Sequence, residues 1–269
     1  MNLKNLMEEV LPIAVAAGDA IMRVYESDFA VTHKDDDSPL TQADLAAHHI
    51  IIKALSALTP ELPCLSEEAA DIGYDLRRAW TRYWLIDPLD GTREFVKRNG
   101  EFTVNIALID GSEAVLGVVY APVTGVAYAA ARGCGAFRRE RDGSQRPIRV
   151  CSAASATVRV LASRSHGDAV LDSLLTRLGP MQRISVGSAL KFGLLAEGQA
   201  DLYVRRGRTS EWDTAAGHAV VSEAGGTVVD FSGQPLRYNV RDTLINPSFI
   251  AFGDTSRDWV GLLTNPADT

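Results

Sequence analysis

The chain of 269 residues has only three cysteines, Cys64, Cys134 and Cys151, which lie far apart with no Cys-x-x-Cys spacing and no histidine cluster beside them. That argues against a disulfide framework and against a zinc site, and it fits a reducing cytoplasm. Basic residues are not in excess: 27 Lys and Arg against 34 Asp and Glu leave a formal charge of -7. Such a surface does not attract nucleic acid or anionic membrane in bulk, so any phosphate ligand must be met by local cations or by a metal. No apolar run is long enough to span a membrane, and the apolar stretch 10–18 is flanked by Glu8, Glu9 and Asp19, which fits neither a signal peptide nor stable membrane insertion. No G-x-G-x-x-G follows a strand, which sets aside a dinucleotide-binding oxidoreductase. Repeats and low-complexity tracts are absent too.

What remains is an ordinary globular composition, 46% apolar and 23% charged, long enough for one large domain or two small ones packed together. Leu3, Leu6, Met7, Val10, Ile13, Ala14, Ala17, Ile21 and Val24 recur at helical spacing, so the chain opens with an amphipathic helix. A polar loop over 33–39 with three consecutive aspartates leads to a second helix near Thr41, whose buried stripe is Ala47, Ile50, Ile51, Ala54, Leu55 and Leu58. Strand patterns follow at 83–86, 103–109, 114–120, 126–131 and 135–138 and predict a mostly antiparallel sheet with helices on one side. From 160 onward strands at 160–163, 183–186 and 201–204 alternate with helices over 166–178, 188–197 and 213–224. The reading is an α+β half over 1–152 and an α/β half over 153–269 acting as one catalytic unit, with the boundary among the small polar residues 151–156.

The chemistry concentrates at element ends. An apolar strand runs into Asp87-Pro88-Leu89-Asp90-Gly91-Thr92: Pro88 is expected to halt the strand, and Gly91 to allow a bend. The amides from Thr92 onward then open a helix whose positive end faces an anion. Asp87 and Asp90 offer hard oxygens suited to Mg²⁺. Each further acid has an ordinary structural explanation: Ser66 caps a short helix begun by Glu67-Glu68, Asp213 is an N-cap with Trp212 in the core, and Asp44 completes a capping box from Thr41. Together, Glu67, Asp87, Asp90 and Asp213 supply enough anionic ligands for a pair of Mg²⁺ ions about 3.5 to 4 Å apart acting on a phosphate.

Glu67-Glu68, Asp87-Pro88-Leu89-Asp90-Gly91-Thr92 and Trp212-Asp213-Thr214-Ala215-Ala216-Gly217, in that order, closely resemble the Mg²⁺-dependent, lithium-sensitive inositol monophosphatase superfamily. The resemblance runs from the first helix to Gly253 and implies a layered αβαβα sandwich. It implies that Glu67, Asp87 and the Leu89 carbonyl hold one metal, and that Asp87, Asp90 and Asp213 hold a second. Thr92, hydrogen-bonded to Asp44, would accept the proton of the metal-bound water that attacks phosphorus in line, and Gly91 and Thr92 would cradle the departing phosphate. Gly187-Ser188-Ala189-Leu190-Lys191-Phe192 and Ala196-Glu197-Gly198-Gln199-Ala200-Asp201-Leu202-Tyr203 look most like the bacterial 3'(2'),5'-bisphosphate nucleotidase branch, as does the run 95–102.

Inositol-phosphate relatives tend to carry an acid after the strand at 201–204, where this chain has Arg205-Arg206-Gly207-Arg208. Those cations, with Ser188 and Lys191, suit a second phosphate; the plain alternative is a solvated helix face and a basic loop. The expected activity is hydrolysis of the 3'-phosphate of adenosine 3',5'-bisphosphate to AMP, with 3'-phosphoadenylyl sulfate as a further substrate, in sulfur assimilation. Mg²⁺ as cofactor, Li⁺ as inhibitor, and a monomer or homodimer are expected with it. An inositol or sugar phosphate phosphatase is the rival enzyme, and a non-catalytic nucleotide or metal sensor the rival of another class.

Overall fold

The computed structural model describes residues 2–27, 39–162 and 169–264. The aspartate-rich loop at 33–38 and the start of the helix expected from 166 lie outside those residues. In the first half α1 (Leu3–Tyr25) and α2 (Pro39–Leu58) precede β1 (Cys64–Ser66), a 3-10 turn Glu67–Ala69, α3 (Tyr74–Arg77), β2 (Arg82–Asp90) and α4 (Thr92–Val96). A meander β3 (Thr103–Asp110), β4 (Glu113–Ala121), β5 (Val126–Ala131), β6 (Gly135–Arg139) and β7 (Gln145–Ile148) follows. The second half holds β8 (Val158–Ala162), α5 (Ala169–Leu175), β9 (Met181–Ser185), α6 (Leu190–Ala196), β10 (Leu202–Arg205), α7 (Glu211–Glu223), β11 (Thr227–Asp230), β12 (Phe249–Phe252) and α8 (Trp259–Leu263).

The first sheet has order β1-β2-β3-β4-β5-β6-β7, and only its β1–β2 pair is parallel. The second sheet, ordered β11-β12-β10-β8-β9, is mixed. Both faces of the first sheet are buried, because its strands are apolar in both phases. Trp84, Ile86, Ile106 and Val118 pack with α1 and α2, while Leu85, Ala107, Val119 and Tyr128 pack on α6 and α7. The helices expected on one side therefore lie on both. Phe192, Ala215, Ala216 and Val220 also meet Leu161, Tyr203, Phe249 and Ala251 of the second sheet, whose far face packs on α5 and α8 through Leu174, Leu175, Trp259 and Leu263. The result is the αβαβα sandwich, with a helical layer clamped between two sheets. Gly117 makes the clamp possible, since a side chain there would collide with the Ala216 backbone.

Two local differences matter for the site. β2 does not stop at Pro88: Asp87 pairs with Asn105 and Asp90 with Thr103, so one extra residue is accommodated as a bulge. Residues three apart on a regular strand face opposite ways, and the bulge cancels that alternation for Asp87 and Asp90. α7 begins two residues before Asp213, with Ser210 as its N-cap; Asp213 sits at the third helical position and accepts from the Ser210 N–H through Oδ2 at 2.9 Å. Among the described residues no helix is long and apolar enough to cross a membrane.

Candidate metal centre and active site

The fold brings together three of the four acids from distant segments. Carboxylate oxygens of Glu67, Asp87 and Asp213 lie within 4.8 Å of one another, at the start of the 3-10 turn, the bulge of β2 and the first turn of α7. Asp87 is buried, and its Oδ1 accepts from the Leu89 N–H at 3.1 Å, which fixes the turn that carries Leu89. Asp90 stands beside this triad, with Oδ2 accepting from the Ala189 N–H at 2.6 Å and from Asn105 Nδ2 at 3.3 Å. Asp90 thereby ties the bulge to the loop that starts α6. Gly91 caps α4 at φ 98°, in the left-handed region, with Glu101 O and the Ser188 Cβ crowding the place of a side chain.

Asp44 lies within α2, which begins at Pro39 and not at Thr41, so its carboxylate does not serve a capping box. It is buried beside Glu68 and Glu67, and its Oδ1 has no hydrogen-bonding partner. Among the described residues no hydrogen bond joins Asp44 to Thr92.

Like charges in a desolvated place leave their mark on every acid. Burial first, then Glu68 and Glu67, push Asp44 up to about 8. Burial and Asp90 push Glu67 up to about 7, and Asp213 to about 8. Asp87 is raised by burial and by Asp90, Glu67 and Asp213. Asp90 is raised by burial as well, against the opposing pull of Lys191. Trp212, beside Glu67, opposes the rise of Glu67 in part, and Asp213 gains the Ser210 N–H. Among the described residues no Lys or Arg ion pair reaches Glu67, Asp87 or Asp213. Hard oxygens packed this closely without a cation fit a divalent metal such as Mg²⁺, whose charge would offset the repulsion.

A measurable consequence follows. These carboxyls hold protons in the native state that the unfolded chain has already released, so in the absence of metal stability falls as pH rises from about 4 toward about 8. Mg²⁺ at a hundred times its dissociation constant adds ~2.7 kcal/mol, roughly 5–10 °C in Tm. Because metal binding requires the deprotonated acids, the Mg²⁺-induced shift should be larger at pH 8 than at pH 5.5. Thermal melts at the two pH values check this, and equal shifts would contradict it.

Beside the acids opens a cavity of about 220 Å³. Asp90, Gly91, Thr92, Asp213, Ser188, Lys191, Tyr203 and Arg205 are among the residues that line it. Lys191 is not on a solvated helix face: it is 5% exposed, donates to the Val186 and Ser188 carbonyls at 3.0 and 2.7 Å, and lies 5.5 Å from the Tyr203 ring centre. Burial lowers it to about 8, against the pull of Asp90. Ser188, at φ 47°, shapes the loop that delivers this lysine. Of the three arginines after β10 only Arg205 lines the cavity; Arg206 stacks over Phe231, and Arg208 is exposed. Arg205 Nε is buried without a partner, and one of its terminal nitrogens donates to the Arg208 carbonyl at 3.2 Å.

Residues not anticipated as part of the site from the sequence are Asn105, Tyr203, Thr209 and Thr214. For Asn105 a signal existed: a lone amide in the apolar strand Val104-Asn105-Ile106, now 1% exposed, needs a buried partner.

A family model for the inositol monophosphatase family matches residues 2–257, and the chain belongs to that family. Within it, the 3'(2'),5'-bisphosphate nucleotidase CysQ of Escherichia coli (strain K12) is 52% identical over 246 residues, covering 91% of this chain and 98% of that protein. The CysQ of Haemophilus influenzae is 38% identical over 257 residues, 95% and 96% of the two chains. The crystal structure of CysQ from Bacteroides thetaiotaomicron, a bacterial member of the inositol monophosphatase family, superposes with a TM-score of 0.84 at 38% identity, covering 94% of this chain and 98% of that one. An inositol monophosphatase from Zymomonas mobilis, 23% identical, shares the fold with a TM-score of 0.79.

Proposed function

We propose that this chain is an Mg²⁺-dependent 3'(2'),5'-bisphosphate nucleotidase that hydrolyses the 3'-phosphate of adenosine 3',5'-bisphosphate to AMP and phosphate, in the cytoplasm and within sulfur assimilation. The observation that carries the nucleotide is the pair of cations Lys191 and Arg205 lining one cavity together with Asp90 and Asp213. A sugar monophosphate brings a single phosphate, which belongs at the acids; a bisphosphate nucleotide brings a second, for which Lys191, Arg205 and Ser188 provide donors. The CysQ relatives support the same reading.

Glu67, Asp87 and Asp213 would hold the metal, with the Leu89 carbonyl and Asp90 as further ligands. When bound, Mg²⁺ neutralises the phosphate oxygens and lowers the pKa of water, the chemistry that phosphoester hydrolysis needs. The residues of the chain do the rest. The backbone of Gly91 and Thr92 orients the phosphate at the first turn of α4. Thr92 lies within the same cavity as Ser188 and Lys191, so both ends of the substrate are gripped at once. With the metal's charge holding Asp44 ionised and Thr92 turned to it, Asp44 would take a proton from the attacking water through Thr92 as the bond from phosphorus to the 3'-oxygen breaks, and the leaving oxygen would be protonated from solvent. Li⁺ is the expected inhibitor, and 3'-phosphoadenylyl sulfate a further substrate.

Phosphate release by the purified protein tests this: with Mg²⁺ present, kcat/KM on adenosine 3',5'-bisphosphate should exceed that on inositol 1-phosphate by at least about tenfold. The opposite order would reject the nucleotide, and Mg²⁺ binding without turnover on any phosphomonoester would reject the enzyme.

A further inference from the structure

Behind the first turn of α7, away from the cavity, two charges are buried that neither hold metal nor touch substrate. Glu211 is 0% exposed and Arg77 is 2% exposed. They are not in direct contact; Asn239 stands between them. Its backbone N–H donates to Glu211 Oε2 at 2.8 Å, its Oδ1 accepts from Arg77 Nη1 at 2.6 Å, and its Nδ2 donates back to the Arg77 carbonyl at 2.6 Å. Arg77 also donates to the Asp242 carbonyl, and its guanidinium lies 4.8 Å from the Tyr74 ring centre. Asn239 holds φ at 57°, a left-handed conformation that asparagine tolerates better than most residues. Glu211 Oε1 has no hydrogen-bonding partner, and the nearest cation, Arg241, is 3.9 Å away.

A charge buried with half its bonding capacity unused is a poor device for stability, since apolar residues of the same volume would serve as well or better. Its place in the chain suggests another use. Arg77 ends the segment that begins with Glu67, and Glu211 opens the turn that carries Trp212 and Asp213. The bridge therefore ties the two backbone segments whose carboxylates approach within 4.8 Å. We infer that Arg77, Asn239 and Glu211 are positioning residues that set the separation of Glu67 and Asp213, and so the affinity for the divalent metal. The inference rests on the reading that Glu67 and Asp213 hold that metal.

Glu211→Gln, Asn239→Ala and Arg77→Met test it by calorimetric titration of Mg²⁺ into the substrate-free protein at one fixed pH. Each should weaken Mg²⁺ binding about tenfold or more, as loss of the groups that orient metal ligands does. At saturating Mg²⁺ the KM for the nucleotide should stay within about twofold of the parent, because the cations facing the substrate are untouched. The losses in the Arg77→Met, Glu211→Gln double variant should fall short of additive, since either change breaks the same bridge. Arg159→Met is the control: it breaks a part-buried ion pair with Asp201, 2.7 Å long, on β8 between β10 and β9 of the second sheet, and should lower Tm while keeping the parent's Mg²⁺ affinity.

Parental Mg²⁺ affinity in folded Glu211→Gln and Asn239→Ala would overturn the inference, as would an equal loss in Arg159→Met. Should Arg77→Met fail to fold, the near-isosteric Glu211→Gln still decides. The parent separates the two readings: Mg²⁺ binding without nucleotide turnover defeats only the proposed activity, whereas absence of Mg²⁺ binding defeats both.

Discussion

Asp87→Asn is expected to lower Mg²⁺-dependent phosphate release about 10³-fold on every phosphomonoester, nucleotide or sugar, and to leave the metal-free protein at pH 8 more stable than the parent. The two effects have one origin. Asp87 is 1% exposed, and its charge is opposed by burial and by four neighbouring acids. An asparagine keeps the shape and the oxygen that accepts from the Leu89 N–H, so the turn survives. What disappears is the negative charge, which the fold resists and the metal requires. A site kept for function at the expense of stability gains stability when it is disabled. Phosphate release and thermal melts in a chelator, run side by side, check the pair; a variant that loses both activity and stability would mean that Asp87 serves the fold instead.

Arg205→Ala is expected to act differently: kcat/KM on adenosine 3',5'-bisphosphate should fall about 10²-fold, while hydrolysis of a sugar monophosphate stays within about threefold of the parent. Arg205 lines the cavity with Asp90 and Asp213, its Nε is buried without a partner, and among the described residues its guanidinium makes one hydrogen bond, to the Arg208 carbonyl. Its removal therefore costs the fold little and costs a phosphate ligand a charged donor in a partly desolvated place. Lys191→Met should follow the same pattern with a larger structural penalty, because its ammonium also holds the Val186 and Ser188 carbonyls. Equal losses on nucleotide and sugar phosphates for Arg205→Ala would remove that residue from the specificity argument.

The two variants probe different degrees of legibility. Asp87, Asp90, Gly91 and Thr92 sit within six residues, so local chemistry alone marked them, and Glu67 and Asp213 stood out only once their motifs were taken with that one. The strands of the central meander were legible because they alternate or run apolar over six to nine residues. β7 was not, because Gln145-Arg146-Pro147-Ile148 is an exposed edge strand interrupted by proline. β11 and β12 are four residues each and joined by a long irregular segment, too short for periodicity to register. Lys191 was singled out from its motif as a candidate phosphate contact, but its burial was not legible: on one helical turn a lysine can equally be solvated, and only the packing of α6 between two sheets buries it.

The sequence by itself determined which residues are candidates for the chemistry, and the main helices and the strands of the central meander, since periodicity and the aspartates around Pro88 are signals carried by neighbouring residues. Tertiary structure alone decided the bulge that brings Asp87 and Asp90 to one side, the turn of Asp90 toward Ala189, the burial of Lys191, and the Asn239 bridge between Arg77 and Glu211. Each of these joins groups from separate parts of the chain, Arg77 and Asn239 being 162 positions apart. No local pattern encodes such a meeting, because it depends on how whole layers stack, and that is settled by the burial of apolar faces across the entire fold.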